Sequence, residues 1–176
     1  MLKSALVLAA VALGSATAAA HIVVDPAEAP VGSSVRATFR VTHGCDGAPT
    51  TGLRVVIPDG FIGVKPMPKP GWSIKTGRGK YQGAYAYYHG KTLTEGVTEV
   101  SWSGGELPNA FVDEFTLFGF AARELKAGDV LRFSVIQDCA GGKTTEWTEI
   151  PKTSDDHPER PAPSVTLTSG AEPHRH

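Results

Sequence analysis

The sequence predicts an all-β protein that folds as a β-sandwich. Short segments rich in β-branched and aromatic residues recur along the chain, and clusters of glycine, proline and aspartate separate most of them. No apolar stripe with helical spacing runs for three turns. Regularly spaced short strands with such turn residues between them are typical of sandwiches and barrels.

Each predicted strand is a short apolar run bounded by turn residues. Residues 35–41 (VRATFRV) partly alternate in polarity, and Pro58-Asp59-Gly60 ends the next strand. Residues 77–80 (GRGK) are interpreted as a hairpin turn, and the prolines of 66–70 (PMPKP) lack the N–H donors of a central strand. The predicted strands are 22–24, 35–41, 53–57, 72–76, 84–88, 98–102, 114–121, 131–137, 146–150 and 165–168. We expect one domain of immunoglobulin or fibronectin type.

The first twenty residues have the order of a secretory signal peptide. Lys3 is followed by an apolar run over 5–13 and then by small residues that end in Ala18-Ala19-Ala20. A membrane-spanning helix needs roughly 20 apolar residues, so this run is too short to be an anchor. We therefore expect cleavage between Ala20 and His21, export, and a mature chain without a membrane span.

The composition of the mature chain excludes some functions and divides the chain in two. The formal net charge of −1 for the full chain becomes −2 without Lys3, and the basic residues are scattered, which argues against a nucleic-acid partner. We assign the sandwich domain to residues 21–151. Residues 152–176 are predicted to be a proline-rich segment with a last edge strand at 165–168 and a frayed, histidine-containing tail.

The two cysteines, Cys45 and Cys139, both lie in the mature chain. Export to an oxidising compartment favours a disulfide between them. The alternative is a metal site with two thiolates, but zinc sites of that kind usually have closely spaced ligands. The sequence therefore favours a disulfide.

Cleavage before His21 gives this histidine a free α-amino group. The amine and the ring nitrogen Nδ1 of one residue can chelate a single metal ion, and Cu(II) binds such nitrogen ligands most tightly among the divalent ions. The α-amine has an ordinary pKa of about 8, so a metal displaces its proton at modest cost. His21 is thus the leading candidate for a copper ligand.

Six segments of the chain resemble one known family, the YcnI-like copper-binding domain, formerly a domain of unknown function. They cover nearly the whole mature chain and occur in the family's order: 20–30 (AHIVVDPAEAP), 57–60 (IPDG), 65–72 (KPMPKPGW), 102–105 (WSGG), 113–115 (DEF) and 146–151 (EWTEIP). The resemblance implies an exported bacterial β-sandwich of the periplasm, often encoded beside copper-handling proteins.

The resemblance also implies a copper site. In the family, Cu(II) is bound by the amine and imidazole of the N-terminal histidine, a carboxylate early in the domain completes the site, and a tryptophan lies close to the metal. His21 matches the histidine and Trp147 matches the tryptophan. No glutamate occupies the family's carboxylate region here, so Asp46, the imidazole of His43 and Glu28 remain as alternatives for the further ligand.

Three functions follow from these features. The leading hypothesis is a non-enzymatic copper(II)-binding protein that exchanges copper with other periplasmic copper-handling proteins. The second is a copper oxidase or monooxygenase in which His21 and His43 form a two-histidine brace. The third is an interaction domain without a metal. The sandwich fold alone does not decide among them.

Overall fold

The computed structural model describes residues 21–153 and 155–170, and the strands that it contains form three sheets. The predicted signal segment 1–20 and residues 171–176 of the predicted tail lie outside the described residues. Two 3₁₀ turns, Tyr88–Gly90 and Ala140–Gly142, are the helical elements of this part of the chain. The strands are β1 (Val23–Asp25), β2 (Glu28–Pro30), β3 (Ser34–Val41), β4 (Thr50–Val56), β5 (Phe61–Pro66), β6 (Ser73–Ala86), β7 (Thr92–Leu107), β8 (Asp113–Ala121), β9 (Val130–Arg132), β10 (Ser134–Cys139), β11 (Lys143–Trp147) and β12 (Ser164–Thr168).

Two of the sheets form the sandwich. The first has the strand order β1-β3-β8-β5, and the second has the order β11-β10-β4-β7-β6. All pairs within them are antiparallel. The third sheet, β2-β12-β9, contains one parallel pair, β2 with β12. Its buried residues Leu131, Val165 and Leu167 belong to the same core cluster as those of the sandwich.

Alternation of polarity determines which face of each strand enters the core. Along β3, Val35, Ala37, Phe39 and Val41 are buried, while the residues between them are more exposed. Side chains in a strand point to opposite faces in turn, so this pattern presents one apolar face. Trp102 of the second sheet packs edge-on against Phe115 of the first, with 5.5 Å between ring centroids. The core therefore lies between the two sheets.

Strand β6 differs from the sequence-based prediction. Residues 72–76 and 84–88 were predicted to be separate strands with a hairpin turn at 77–80, but Ser73–Ala86 is one strand. Its register against β7 shifts between Gly77 and Arg78, and again between Lys80 and Tyr85. The glycines of this segment thus lie in an irregular strand rather than a turn, because pairing with the long strand β7 continues past them.

The late strand also differs from its prediction. Residues 165–168 do form a strand, β12, but it pairs with β2 on one side and with β9 on the other. It is therefore the central strand of the small sheet, and the prediction of an edge strand is wrong. Its alternating residues Val165 and Leu167 are buried, which explains why it returns to the domain core.

No helix within the described ranges is long and apolar enough to cross a membrane.

A second, smaller cluster of buried residues lies at the β5 edge of the first sheet, opposite the β1 edge. It contains Ile62, Tyr85, Phe120 and Ala122. The Tyr85 hydroxyl donates a hydrogen bond to the carboxylate of Asp59. Burial, and then this hydrogen bond, raise the pKa of Tyr85 to about 12. The folded protein therefore holds this phenol proton more tightly than an unfolded chain does.

This difference predicts an alkaline loss of stability that depends on Tyr85. The contribution is fully present below the ordinary tyrosine pKa of 10 and is lost as the pH rises through about 12, because the unfolded chain ionises first. Urea unfolding between pH 9 and pH 11.5 should show a steeper fall in the free energy of unfolding for the wild type than for Tyr85→Phe. Tyr88→Phe, which also removes one phenol, is the matched control. Equal slopes for wild type and Tyr85→Phe would contradict the assignment.

Candidate metal centre

Pairing of β1 with β3 sets the position of His21. Val23 pairs with Arg40 and Val24 with Phe39, and β1 is the edge strand of the first sheet. Continuing this antiparallel register by two residues leads from Val23 to His21 and from Arg40 to Thr42. Residues 21–25 thus run along the end of β3, which continues directly into His43.

A tight turn follows His43. Cys45 and Ala48 form an isolated antiparallel bridge, and the Ala48 N–H donates to the Cys45 carbonyl at 3.0 Å. The central residues Asp46 and Gly47 have φ values of 48° and 79°. Positive φ at both central positions is the requirement of a type I′ turn, for which Asp-Gly is a preferred dipeptide. Asp46 therefore lies at the tip of the turn.

A disulfide and a hydrogen bond hold this loop against its neighbours. The predicted disulfide is present, with Cys45 and Cys139 bonded across a sequence separation of 94. Both cysteines are buried, at 4% exposure each. The Gly44 N–H donates to Oδ1 of Asn109 at 2.9 Å. A Cβ at position 44 would lie 1.6 Å from the Ala48 carbonyl oxygen, so only glycine fits there.

Both candidate histidines pack against the ring of Trp147. Its ring centroid lies 6.0 Å from that of His21 and 5.9 Å from that of His43, with interplanar angles of 68° and 67°. Both contacts have the edge-to-face geometry that aromatic rings favour. Trp147 itself ends β11, faces the core and is 4% exposed. We call His21, His43 and Trp147 the three-ring cluster.

Gln137 is a residue of this site that the sequence analysis missed. Its Oε1 accepts a hydrogen bond from Trp147 Nε1 at 3.0 Å, and its Nε2 donates to the His43 carbonyl and to Thr50 Oγ1, each at 2.7 Å. In the described part of the chain, Gln137 and Thr50 are the buried polar side chains, both at 0% exposure. A lone glutamine in a strand gives no sequence signal of such partners, which come from two other strands and a loop.

Hydrogen bonding determines which nitrogen of His43 carries a lone pair. Its Nδ1 lies 2.6 Å from the Gly44 carbonyl oxygen. A carbonyl oxygen only accepts, so Nδ1 carries the proton in this contact. In the neutral ring, the lone pair that can bind a metal is therefore on Nε2.

Within the residues that the structure describes, three buried side-chain polar atoms lack a hydrogen-bond partner: His21 Nε2, Thr42 Oγ1 and Trp102 Nε1. The first two belong to the paired segments around His21 and His43. Most buried polar groups are hydrogen-bonded, and an unpaired one is costly. The His21 ring is held by packing against Trp147, and its unpartnered nitrogen is Nε2, not the Nδ1 that would form a chelate with the α-amine.

The two carboxylate candidates, Asp46 and Glu28, are exposed. The Asp46 side chain is 93% exposed, and its nearest ionic partner is Lys143, with 4.0 Å between Nζ and Oδ2. Glu28 is exposed on β2 and pairs with Thr166 in the small sheet. Among the described residues, neither of them forms, together with the two histidines, a group that could hold a metal ion.

Across residues 21–153 and 155–170, no three or more side chains of His, Cys, Asp or Glu are grouped to hold a metal ion. A classical site built from three or four such side chains is therefore not found in this part of the chain. A brace differs from such a site, because one N-terminal histidine supplies two ligand atoms.

Comparison with known proteins gives a family and a fold. A family model described as "Domain of unknown function (DUF1775)" matches residues 21–167. An uncharacterized protein from Nocardia farcinica with an immunoglobulin-like fold is similar at a TM-score of 0.62 and 23% identity, over 85% of this chain and 99% of that one. This likeness confirms the predicted immunoglobulin-like fold.

A cohesin of scaffoldin B from Acetivibrio cellulolyticus, solved in complex with a Cel5 dockerin, gives a TM-score of 0.42 at 10% identity, over 85% of this chain and 97% of that one. No match is found among curated proteins.

The disulfide predicts a large stability difference. Bridging residues separated by 94 positions restricts the unfolded chain, so the Cys45→Ala/Cys139→Ala protein should lose on the order of 4 kcal/mol of unfolding free energy in the loop-entropy model. Urea unfolding followed by circular dichroism measures this loss. Wild-type protein reduced with dithiothreitol is the control, because it lacks the crosslink without a substitution. Unfolding midpoints equal to that of the oxidised wild type would contradict the prediction.

Proposed function

From the premise that the chain belongs to the family of domains of unknown function DUF1775, we propose that its processed form is an exported copper(II)-binding protein. The ion is cargo that the protein exchanges with other copper-handling proteins of the periplasm. The observation that carries this proposal is the packing of His21 against the same tryptophan ring as His43. Signal cleavage after Ala20 is part of the proposal.

The ligands follow from the chemistry of the cluster. His21 would supply its α-amine and Nδ1, which form a chelate within one residue and suit Cu(II). His43 would supply Nε2, because its Nδ1 is committed to the Gly44 carbonyl. The 93% exposure of the Asp46 side chain and its distance of 4.0 Å from Lys143 favour His43 over Asp46. The same reasoning disfavours Glu28, which lies in the small sheet.

The ligand set supports exchange of copper rather than a structural role. Structural metal sites are closed by four protein ligands, whereas a site with open positions admits a further ligand. Two imidazoles and one amine leave a position of Cu(II) open to a ligand from another protein. Trp147 would form an apolar wall on one side of the ion, since its own N–H is bonded to Gln137.

The contact of His43 with the cluster also favours a second candidate function. Two histidines and one terminal amine are the ligand set of a two-histidine brace, so a copper oxidase or monooxygenase remains the alternative. An assay with reductant and oxygen or peroxide separates the candidates. Sustained turnover of a polysaccharide or a small phenol would favour the enzyme, and its absence in the copper-loaded protein would favour the carrier.

The first prediction for this function concerns the free amine. Protein that begins at His21 should bind one Cu(II) with an affinity about 100-fold higher than the same protein with its α-amine acetylated, a difference of about 2.7 kcal/mol. Acetylation converts the amine into an amide nitrogen and removes the chelate. Competition titration with a chromophoric chelator measures both affinities, and circular dichroism checks that both forms fold alike. Equal affinity in the acetylated form would remove the basis of the proposal, and no binding by either form would leave the metal-free interaction domain.

The second prediction separates His43 from Asp46. His43→Ala should weaken Cu(II) binding by about tenfold or more and change the nitrogen hyperfine pattern in electron paramagnetic resonance, because one imidazole is lost. Asp46→Ala, in the same loop, is the matched control and should change the affinity by less than about twofold. A larger effect of Asp46→Ala than of His43→Ala would assign the further ligand to the carboxylate instead.

A further inference from the structure

Gln137 is a polar side chain at a buried strand position, where apolar residues are usual. On β10, Val135, Gln137 and Cys139 are the buried positions, and their neighbours are more exposed. An apolar side chain here would continue the core, whereas burying an amide is favourable only if its hydrogen bonds are made. The amide therefore has a use beyond filling space.

The partners of the amide fix its orientation without ambiguity. Trp147 Nε1 is only a donor, so it must face the amide oxygen, and the His43 carbonyl is only an acceptor, so it must face the amide nitrogen. The second N–H points to Thr50 Oγ1. Both N–H groups and the carbonyl of the amide are thus satisfied, and a flipped amide would lose the bonds to Trp147 and His43.

These bonds connect two members of the three-ring cluster that belong to different parts of the fold. Trp147 ends β11 of the second sheet, while His43 follows β3 of the first. Gln137 bonds to the indole N–H of one and to the backbone of the other, so the two cannot move apart without breaking a buried hydrogen bond. The disulfide joins the same loop to the end of β10, at Cys139.

We propose that Gln137 is the positioning residue of this site, holding the Trp147 indole and the His43 backbone in the relative arrangement that the copper ligands require. For copper this inference rests on the proposed function, but the positioning of the indole does not. Residues that hydrogen-bond to the groups around a metal orient the metal ligands, and their substitution changes metal affinity by about 10- to 100-fold. Gln137 touches no metal itself; it acts through Trp147 and His43.

The test uses Gln137→Met, which keeps a side chain of similar length but makes no comparable hydrogen bonds. Thr50→Val is the matched control, because it removes the third partner of the same amide and leaves the bonds to Trp147 and His43. In two-dimensional nitrogen–proton spectra of the metal-free protein, the Trp147 indole N–H should shift and exchange faster with solvent in Gln137→Met, and stay unchanged in Thr50→Val. Trp147→Phe identifies the resonance.

The copper readout is the affinity and the paramagnetic resonance spectrum of protein that begins at His21. Gln137→Met should bind Cu(II) about tenfold more weakly or worse, with altered spectral parameters, and Thr50→Val should match the wild type within about twofold. If Gln137→Met does not fold, Gln137→Asn, which keeps the amide but is one methylene shorter, takes its place with the same expected results.

The outcomes distinguish the two proposals. Failure of the wild type to bind Cu(II) overturns the proposed function, while the indole measurement still tests the positioning role. Wild-type binding with an unchanged indole resonance and an unchanged copper spectrum in the Gln137 variant overturns the positioning role alone. Equal losses in Gln137→Met and Thr50→Val would show a general effect of a broken buried hydrogen bond, which also overturns it.

Discussion

The candidate site depends on the antiparallel pairing of β1 with β3. This short edge pairing, from Val23 to Asp25 against Thr38 to Arg40, holds the segment that begins at His21 along the end of the first sheet. If this segment were unpaired, it would be flexible, and ordering it would cost conformational entropy whenever the His21 imidazole packed against the cluster. Because Val24 is buried in the core, packing of the sandwich and placement of His21 stabilise each other.

A network of buried hydrogen bonds inside an apolar core fixes the arrangement of the side chains at the site. Apolar packing tolerates many arrangements of similar volume, whereas hydrogen bonds to a buried amide tolerate few. Gln137 is fully buried and yet joins Trp147, His43 and Thr50. The disulfide restrains the same loop through a covalent bond. The end of the sandwich at His43 is thus fixed by two kinds of constraint, one covalent and one polar.

The sequence predicts most of the fold because the information is local. Alternation along β3, the Pro-Asp-Gly turn after β4 and the pair of cysteines each carry their own signal, and the structure confirms the strands and the disulfide that they predict. Strands β2 and β5 were not predicted, and β6 was predicted as two strands, since glycines that resemble a turn are held in a strand by β7, a partner that a local pattern does not reveal. For the same reason the central place of β12 in its sheet was not predictable.

The site is predictable only in part. His21 and Trp147 can be named as candidates from the terminal chemistry and from the family resemblance, but their contact through 6.0 Å ring packing is a property of the folded chain. Asp46 is an instructive case. The dipeptide Asp46-Gly47 is a strong local turn signal, and in the structure the turn explains the residue fully, with the side chain directed to solvent. Because the turn is enough to explain Asp46, the case for Asp46 as a metal ligand is weaker.

Under the proposed function, metal loading is coupled to maturation by simple chemistry. Before cleavage, the nitrogen of His21 is a peptide amide, whose proton is not displaced as readily as that of an amine, and the residue offers one imidazole instead of a chelate. The sandwich itself does not need the new terminus, because β1 already pairs with β3 through residues 23–25. Folding and metal binding are therefore separable steps. The protein can fold and form its disulfide before cleavage. It gains the copper chelate only when the terminus is freed. Tight copper binding is therefore confined to the compartment where cleavage occurs.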